Sequence, residues 1–155
     1  RCLRKTLSQT TMNVITVKDA AGYKTLRLIL IRKTLQSALK KMRIDNVHVD
    51  VTLITDAEMK KLNRQYRGKN KPTDVLSFGQ KDMKIGKLRV LGDIIIAKET
   101  TAKQAKKMKH PINDEYTMLA VHGLLHLLGY DHERKKDELV MFALQRKLLD
   151  YVRAK

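Results

Sequence analysis

The 155-residue sequence has no tryptophan, two phenylalanines and one cysteine, and each shortage closes off a class of explanation. With aromatic residues at only 5%, stacking of nucleobases on side chains cannot carry much of any nucleic-acid affinity. Cys2 stands alone, so no intramolecular disulfide can form and a reducing compartment is the natural setting. Its place beside the first residue argues against a catalytic thiol. No stretch approaches the ~20 consecutive apolar residues of a membrane-spanning helix, so the expectation is a soluble protein without a membrane partner. No repeat, low-complexity block or linker divides the chain.

Acid is scarce too: 16 Asp and Glu face 33 Lys and Arg, a formal net charge of +17. A self-repelling surplus of that size implies a polyanionic partner, with nucleic acid first and an anionic membrane surface second. What the chain does have is 43% hydrophobic residues, enough for one real core in a length too short for two comfortable domains. Residues 12–155 therefore read as a single domain. Segment 1–18 contains no acidic residue and carries Arg1, Arg4 and Lys5 ahead of Met12, which can serve as a start. Residues 1–11 read as a basic N-terminal extension: disordered, a targeting remnant or an ordinary basic tail.

Periodicity predicts the order strand, helix, strand, helix, strand, strand, helix, helix, helix. A short β-branched run over 13–17 is a strand, followed by a loop at Asp19, Ala20, Ala21 and Gly22. Over 23–43, Leu28, Ile31, Leu35, Leu39 and Met42 keep the three-and-four spacing of an amphipathic helix that covers a sheet. Val47, Val49, Val51 and Leu53 alternate with His48, Asp50 and Thr52, a strand with one wetter face on which His48 is simply solvated. Thr55 with Glu58 forms a capping box and opens a helix over 56–66. Beyond Pro72, strands at 74–78 and 91–97 are joined by the basic, Gly-containing segment 79–90, and 99–109 is helical. Asn113, ahead of Asp114 and Glu115, reads as the N-cap of the next helix. The last helix, 133–152, buries Met141, Leu144, Leu148 and Val152. The sum is an α/β fold with α+β character: a small mixed four-stranded sheet covered by about five helices around one core.

Helix 115–128 is apolar almost all round, with Met118, Leu119, Val121, Leu124, Leu125, Leu127 and Leu128, and is therefore buried. Yet it holds His122 and His126. Four residues apart, they lie on one face one turn apart, close enough to share a metal. Gly129, free to take positive φ, ends the helix and lets the chain reverse, so His132 can return to complete a triangle. Tyr130 and Asp131 are placed to shape that turn or to hydrogen-bond a ligand's second nitrogen. Any one of these histidines alone is an ordinary core or surface residue. Three of them in a leucine-rich setting are polar groups without partners unless a metal coordinates them. Zinc suits three neutral imidazoles, one ion per chain, and three protein ligands leave a fourth position for water.

The spacing matches the metzincin zinc helix, H-E-x-x-H-x-x-G-x-x-H, except that Gly123 stands where the glutamate would. In a zinc protease that glutamate takes a proton from the attacking water, so Gly123 counts against peptide hydrolysis. A zinc metallopeptidase of metzincin-like geometry using another base remains one alternative. A non-catalytic RNA-binding protein with structural zinc is another, and Asp131 is its local candidate for a fourth ligand.

The run 122–132, H-G-L-L-H-L-L-G-Y-D-H, resembles the signature of the YbeY endoribonuclease family. Residues 63–78, N-R-Q-Y-R-G-K-N-K-P-T-D-V-L-S-F, are similar to the family's N-x-x-Y-R-x-K-D-x-P-T-D-V-L-S-F, and 91–96, L-G-D-I-I-I, to its L-G-D-I-x-I strand. The three blocks occur in family order and span most of 52–132. The resemblance implies a zinc-dependent, single-strand-specific endoribonuclease acting in ribosomal RNA maturation, notably at the 3′ end of 16S-type small-subunit RNA, and in ribosome quality control. It puts zinc on His122, His126 and His132 and catalysis on Arg67 and His122. Partners implied are ribosomal RNA precursors and the small subunit, with ribosomal proteins or assembly GTPases beside them and no DNA. Asn70 departs from the family's aspartate and removes a charge there.

The residues agree with that chemistry. Phosphodiester cleavage builds negative charge on phosphoryl oxygens, so it asks for cations near the metal more than for a carboxylate base. Arg67 can supply one, although read alone it is a surface arginine paired with Asp74. Lys60, Lys61, Arg64, Lys69 and Lys71 flank it, while Lys103, Lys106, Lys107 and Lys109 stud another helix; singly solvated, together they make a phosphate-binding surface. Asp74, Tyr130 and Asp131 are expected to support the ligands. The expected location is the cytoplasm, with an organellar matrix as the alternative that the acid-free first segment suggests.

Overall fold

Alternating apolar side chains on three parallel strands decide how the chain is layered. The computed structural model describes residues 12–155, and the expectations for 1–11 lie outside the described residues. The elements are β1 (Val14–Asp19), α1 (Leu26–Lys41), β2 (Val47–Ile54), α2 (Asp56–Arg67) and β3 (Val75–Gly79), then β4 (Lys84–Ile85), β5 (Leu88–Ala97), α3 (Lys98–Met108), α4 (Ile112–Leu127) and α5 (Lys135–Arg153). The sheet order is β1-β2-β5-β3, with β1, β2 and β5 parallel and β3 antiparallel to β5. A parallel pair cannot be joined by a tight hairpin, and α1 supplies the crossover between β1 and β2.

On one face, Ile15, Val17, Val49, Val51, Leu53, Ile94 and Ile96 meet Leu35 and Leu39 of α1, Leu124 and Leu125 of α4 and Leu148 of α5 in the main core. α4 lies against β3 and β5 and is flanked by α1, α3 and α5, so its nearly uniform apolar surface is satisfied all round. The opposite face is only partly covered. Met59 and Leu62 of α2 pack there on Ile54, Leu76, Phe78 and Ile95. Among the described residues, no helix is long and apolar enough to cross a membrane.

The rest of that face is polar. His48 is not simply solvated: its Nε2 stands 3.2 Å from Asp50 Oδ1, on the same side of β2. Asp50 is in register with Asp93 across β2 and β5. The Asp93 carboxyl is raised above its ordinary range, chiefly by burial and next by the charge of Asp50, with Lys18 and His48 opposing. A group whose folded pKa is raised favours folding at low pH, and that contribution is lost as pH rises through the folded value. At neutral pH the ionised Asp93 therefore costs stability. Asp93→Asn is expected to raise the melting midpoint at pH 7 by a few degrees, with the gain shrinking toward pH 4; equal midpoints at pH 7 would contradict this.

Three local expectations are corrected. The sheet has five strands rather than four, because β4 pairs antiparallel with the start of β5, Lys84 with Arg89 and Ile85 with Leu88. Two exposed residues give no periodicity to read. Asn113 is not the N-cap of α4: the cap is Pro111, without a side-chain bond, and Asn113 lies inside the first turn, where its Oδ1 accepts from Arg27 Nε at 3.5 Å. α1 begins at Leu26 rather than at 23. The capping box of α2 is present in full, Glu58 N–H donating to Thr55 Oγ1 at 3.2 Å and Thr55 N–H to Glu58 Oε2 at 3.4 Å.

Candidate metal centre

α4 carries His122 and His126 to its C-terminal end, where their Nε2 atoms face each other at 3.1 Å. Beyond Leu127 the chain turns through Gly129, whose φ of 96° would strain any L side chain. Its N–H donates to the His126 carbonyl and that of Tyr130 to the Leu125 carbonyl, both at 3.0 Å, so helix-end carbonyls that would otherwise lack donors are satisfied. Asp131 Oδ1 then accepts the N–H groups of His132 at 2.6 Å and Glu133 at 3.3 Å. That turn brings the His132 ring back to 5.5 Å from His122 and 5.1 Å from His126, centroid to centroid.

One donor nitrogen from each of the three rings lies within 4.8 Å of the other two, and among the described residues this is the one such group of histidine, cysteine and carboxylate donors. Nitrogens about 2.0–2.1 Å from a tetrahedral ion sit about 3.3 Å from one another. The His122–His126 pair meets that spacing, and the donor set fits a single ion.

His122 and His126 are also held in the right protonation state. Gln145 of α5 sets Oε1 2.8 Å from His122 Nδ1; a carbonyl oxygen can only accept, so Nδ1 carries the proton and Nε2 keeps its lone pair. The pKa of His122 is lowered mainly by burial and further by the charge of His132, against the Gln145 bond and Asp74. That of His126 is lowered by burial, then by the other two rings, with a hydrogen bond to the Tyr130 backbone and the charge of Asp131 opposing. Both imidazoles are thus neutral at neutral pH, the form a metal needs.

Gly123 is where two layers touch. A Cβ there would lie 2.7 Å from Ile94 Cγ2 and 3.2 Å from Ser77 Oγ, and Ser77 Oγ donates to the Gly123 carbonyl at 3.2 Å. A glutamate at this position would force the Ile94 side chain or α4 itself to shift.

Arg67, the last residue of α2, lines a cavity of about 350 Å³ with Lys69, Lys71, Asp74, Thr100 and Gln104. The ion pair with Asp74 that would make Arg67 an ordinary surface arginine is not formed. Asp74 instead accepts from the Val75 N–H at 2.8 Å and from Gln104 Nε2 at 3.2 Å, which leaves the guanidinium without an ion-pair partner among the described residues. Asp74, which lines this cavity, also bears on His122 through its charge, while none of the three histidines lines the cavity itself. Lys60, Lys61 and Arg64 line a different hollow on α2, with Ala57 and Asn70. Lys103, Lys106 and Lys107 are exposed along α3 and outside the Arg67 cavity. Tyr130 packs its ring against the core, and only its backbone serves His126. Gln145 and Phe142, whose ring is 6.1 Å from that of His132, are site residues that local sequence patterns do not reveal.

The family model described as endoribonuclease YbeY matches residues 12–153. The chain belongs to the YbeY endoribonuclease family. The endoribonuclease YbeY of Persephonella marina is 40% identical over 146 residues, covering 92% of this chain and 95% of its own. That of Bacillus velezensis is 45% identical over 129 residues, 77% and 82% of the two chains. The solution structure of a Thermotoga maritima protein superposes with a TM-score of 0.66 at 32% identity, covering 90% of this chain and 89% of that one. The YbeY match runs through the Arg67 cavity, the histidine turn and all of α5, so every element of the site lies within the family's domain.

Proposed function

We propose that this chain is a zinc-dependent endoribonuclease cutting single-stranded segments of ribosomal RNA precursors, with one zinc held by His122 Nε2, His126 Nε2 and a ring nitrogen of His132. The observation that carries this reading is the triangle of imidazole nitrogens, in a chain that also gathers Arg67, Lys69 and Lys71 around one cavity. Three imidazole nitrogen donors suit zinc, and the absence of a fourth protein donor in the group among the described residues supports a catalytic rather than a structural ion. Asp131, the local carboxylate, is engaged by two backbone N–H groups.

Zinc bound there supplies Lewis acidity to a phosphodiester and to the oxygen that attacks it. The residues do the rest. Arg67 grips the scissile phosphate with two parallel donors, and its charge counts most as the phosphoryl oxygens gain negative charge. Lys69 and Lys71 hold neighbouring phosphates. Gln145 keeps His122 turned with Nε2 inward. The packed surface at Gly123 weighs against a peptidase, because the Cβ of the glutamate in the metzincin motif would have no room here unless its neighbours shifted.

Family membership and the +17 charge support the finer parts of this reading. These are the 3′ end of 16S-type RNA as substrate, the small subunit with its ribosomal proteins or assembly GTPases as partners, and the cytoplasm as the place of action. Incubation with ribosomal RNA precursor and, separately, with casein tests the activity. RNA should be cut, stop being cut with chelator and be cut again on adding zinc, while casein stays intact; chelator-resistant cleavage or casein digestion would overturn the proposal.

The Gln145 bond makes a second expectation. Gln145→Leu keeps the volume and removes the acceptor, so zinc affinity should fall about 10- to 100-fold while the fold is kept. Competition with a chelating indicator reads this directly. Unchanged affinity would mean that packing alone orients His122.

A further inference from the structure

Phe142 is an exposed aromatic ring beside the metal triangle, in a chain with only two phenylalanines. It is 39% exposed. Its ring lies 6.1 Å from that of His132 with planes 18° apart, and 6.4 Å from that of His122 with planes 29° apart. Leu139, 65% exposed, is one turn earlier on the same side of α5, and Gln145, one turn later, holds His122. The core side of α5 is filled by Met141, Leu148 and Leu149. Leu139, Phe142 and Gln145 therefore form a strip that runs from solvent to the metal ligands, apolar in its outer two-thirds and not needed to fill the core.

We propose that Phe142 is the nucleobase platform of the cutting site: an unpaired base next to the scissile phosphate stacks on its free face, with Leu139 against the base's edge. This rests on the reading of His122, His126 and His132 as the zinc site of an endoribonuclease. Phosphate contacts at Arg67, Lys69 and Lys71 carry no information about bases and would hold paired or unpaired strands. A base can present its face to Phe142 only when it is neither paired nor stacked in a helix. One ring at the reacting nucleotide thus turns a basic surface into a reader of single strands, although aromatics are too few to supply affinity along the whole surface. A purine, with the larger face, is favoured there over a pyrimidine.

The absence of tryptophan makes the test direct, because Phe142→Trp carries the only indole in the protein. The zinc-loaded variant is titrated with three substrates: a single-stranded RNA containing a mapped cleavage position, the same RNA with an abasic site beside that position, and its duplex. Saturable quenching by the single strand, and much less by the abasic and duplex forms, is the expected result. Zinc-loaded Phe142→Ala and Phe142→Leu should both bind and cut the single strand roughly tenfold less well, with the purine preference lost, since leucine keeps the apolar bulk but not the π face. Equal quenching by abasic RNA, or a Phe142→Leu protein with wild-type discrimination, would overturn the platform while leaving zinc-dependent cleavage in place. Failure of the wild-type protein to cut RNA in a chelator-sensitive way would overturn both readings.

Discussion

Arg67→Ala is expected to keep its zinc and nearly all of its RNA affinity while single-turnover cleavage falls about a hundredfold or more, the loss typical of one transition-state donor. Three observations separate the two effects. Arg67 is exposed at the end of α2 and has no ion-pair partner among the described residues, so its removal leaves no buried charge behind. Lys69 and Lys71 share its cavity and, on the proposed reading, would still hold the RNA backbone. What is lost is a contact that strengthens as charge develops, which shows in the chemical step rather than in binding. Arg67→Lys should recover only part of the rate, because an ammonium lacks the guanidinium's planar fork. Single-turnover rates at saturating enzyme isolate the step. Wild-type rates for the zinc-loaded alanine variant would place Arg67 on the solvated basic face instead.

His126→Ala should have the larger effect: no stoichiometric zinc and no detectable cleavage. Its Nε2 is 3.1 Å from that of His122, so the substitution removes one corner of a site that has only three. The fold should survive. His126 is half-buried at the helix end rather than part of the core, and alanine is the best helix former, so the metal-free variant should lose less than the ~2–5 kcal/mol of a large core truncation. Elemental analysis beside thermal melting of metal-free wild type and variant separates the two quantities. A His126→Ala protein that purifies with one zinc would show that the ligand set is wrong.

Features carried by neighbours in sequence were legible before the fold was known. Thr55 and Glu58 are three apart, His122 and His126 four apart, and Gly129 ends the helix that bears them; each is a local relation, and each is present. The features that depend on distant chain were not. Gln145 meets His122 across 23 residues, and nothing in the pattern of α5 marks one glutamine among its polar positions. Phe142 sits beside the periodic stripe of Met141 and Leu148, so period alone leaves it unexplained. The Arg67–Asp74 pair of the ordinary-surface reading is replaced by bonds from Gln104 of α3 to one carboxylate oxygen and from the Val75 amide to the other. His48 pairs with Asp50 because alternation places both on the open face of the sheet. β4 is too short to have a period at all.

On the proposed reading, RNA cleavage depends on one zinc held by His122, His126 and His132. Stripped protein titrated with zinc, with cleavage of a single-stranded ribosomal RNA fragment measured at each addition, tests it most directly. Activity should start near zero, rise in proportion to added zinc and break sharply at one equivalent per chain. Full activity before any zinc is added, or a curve that passes one equivalent without a break, would contradict it.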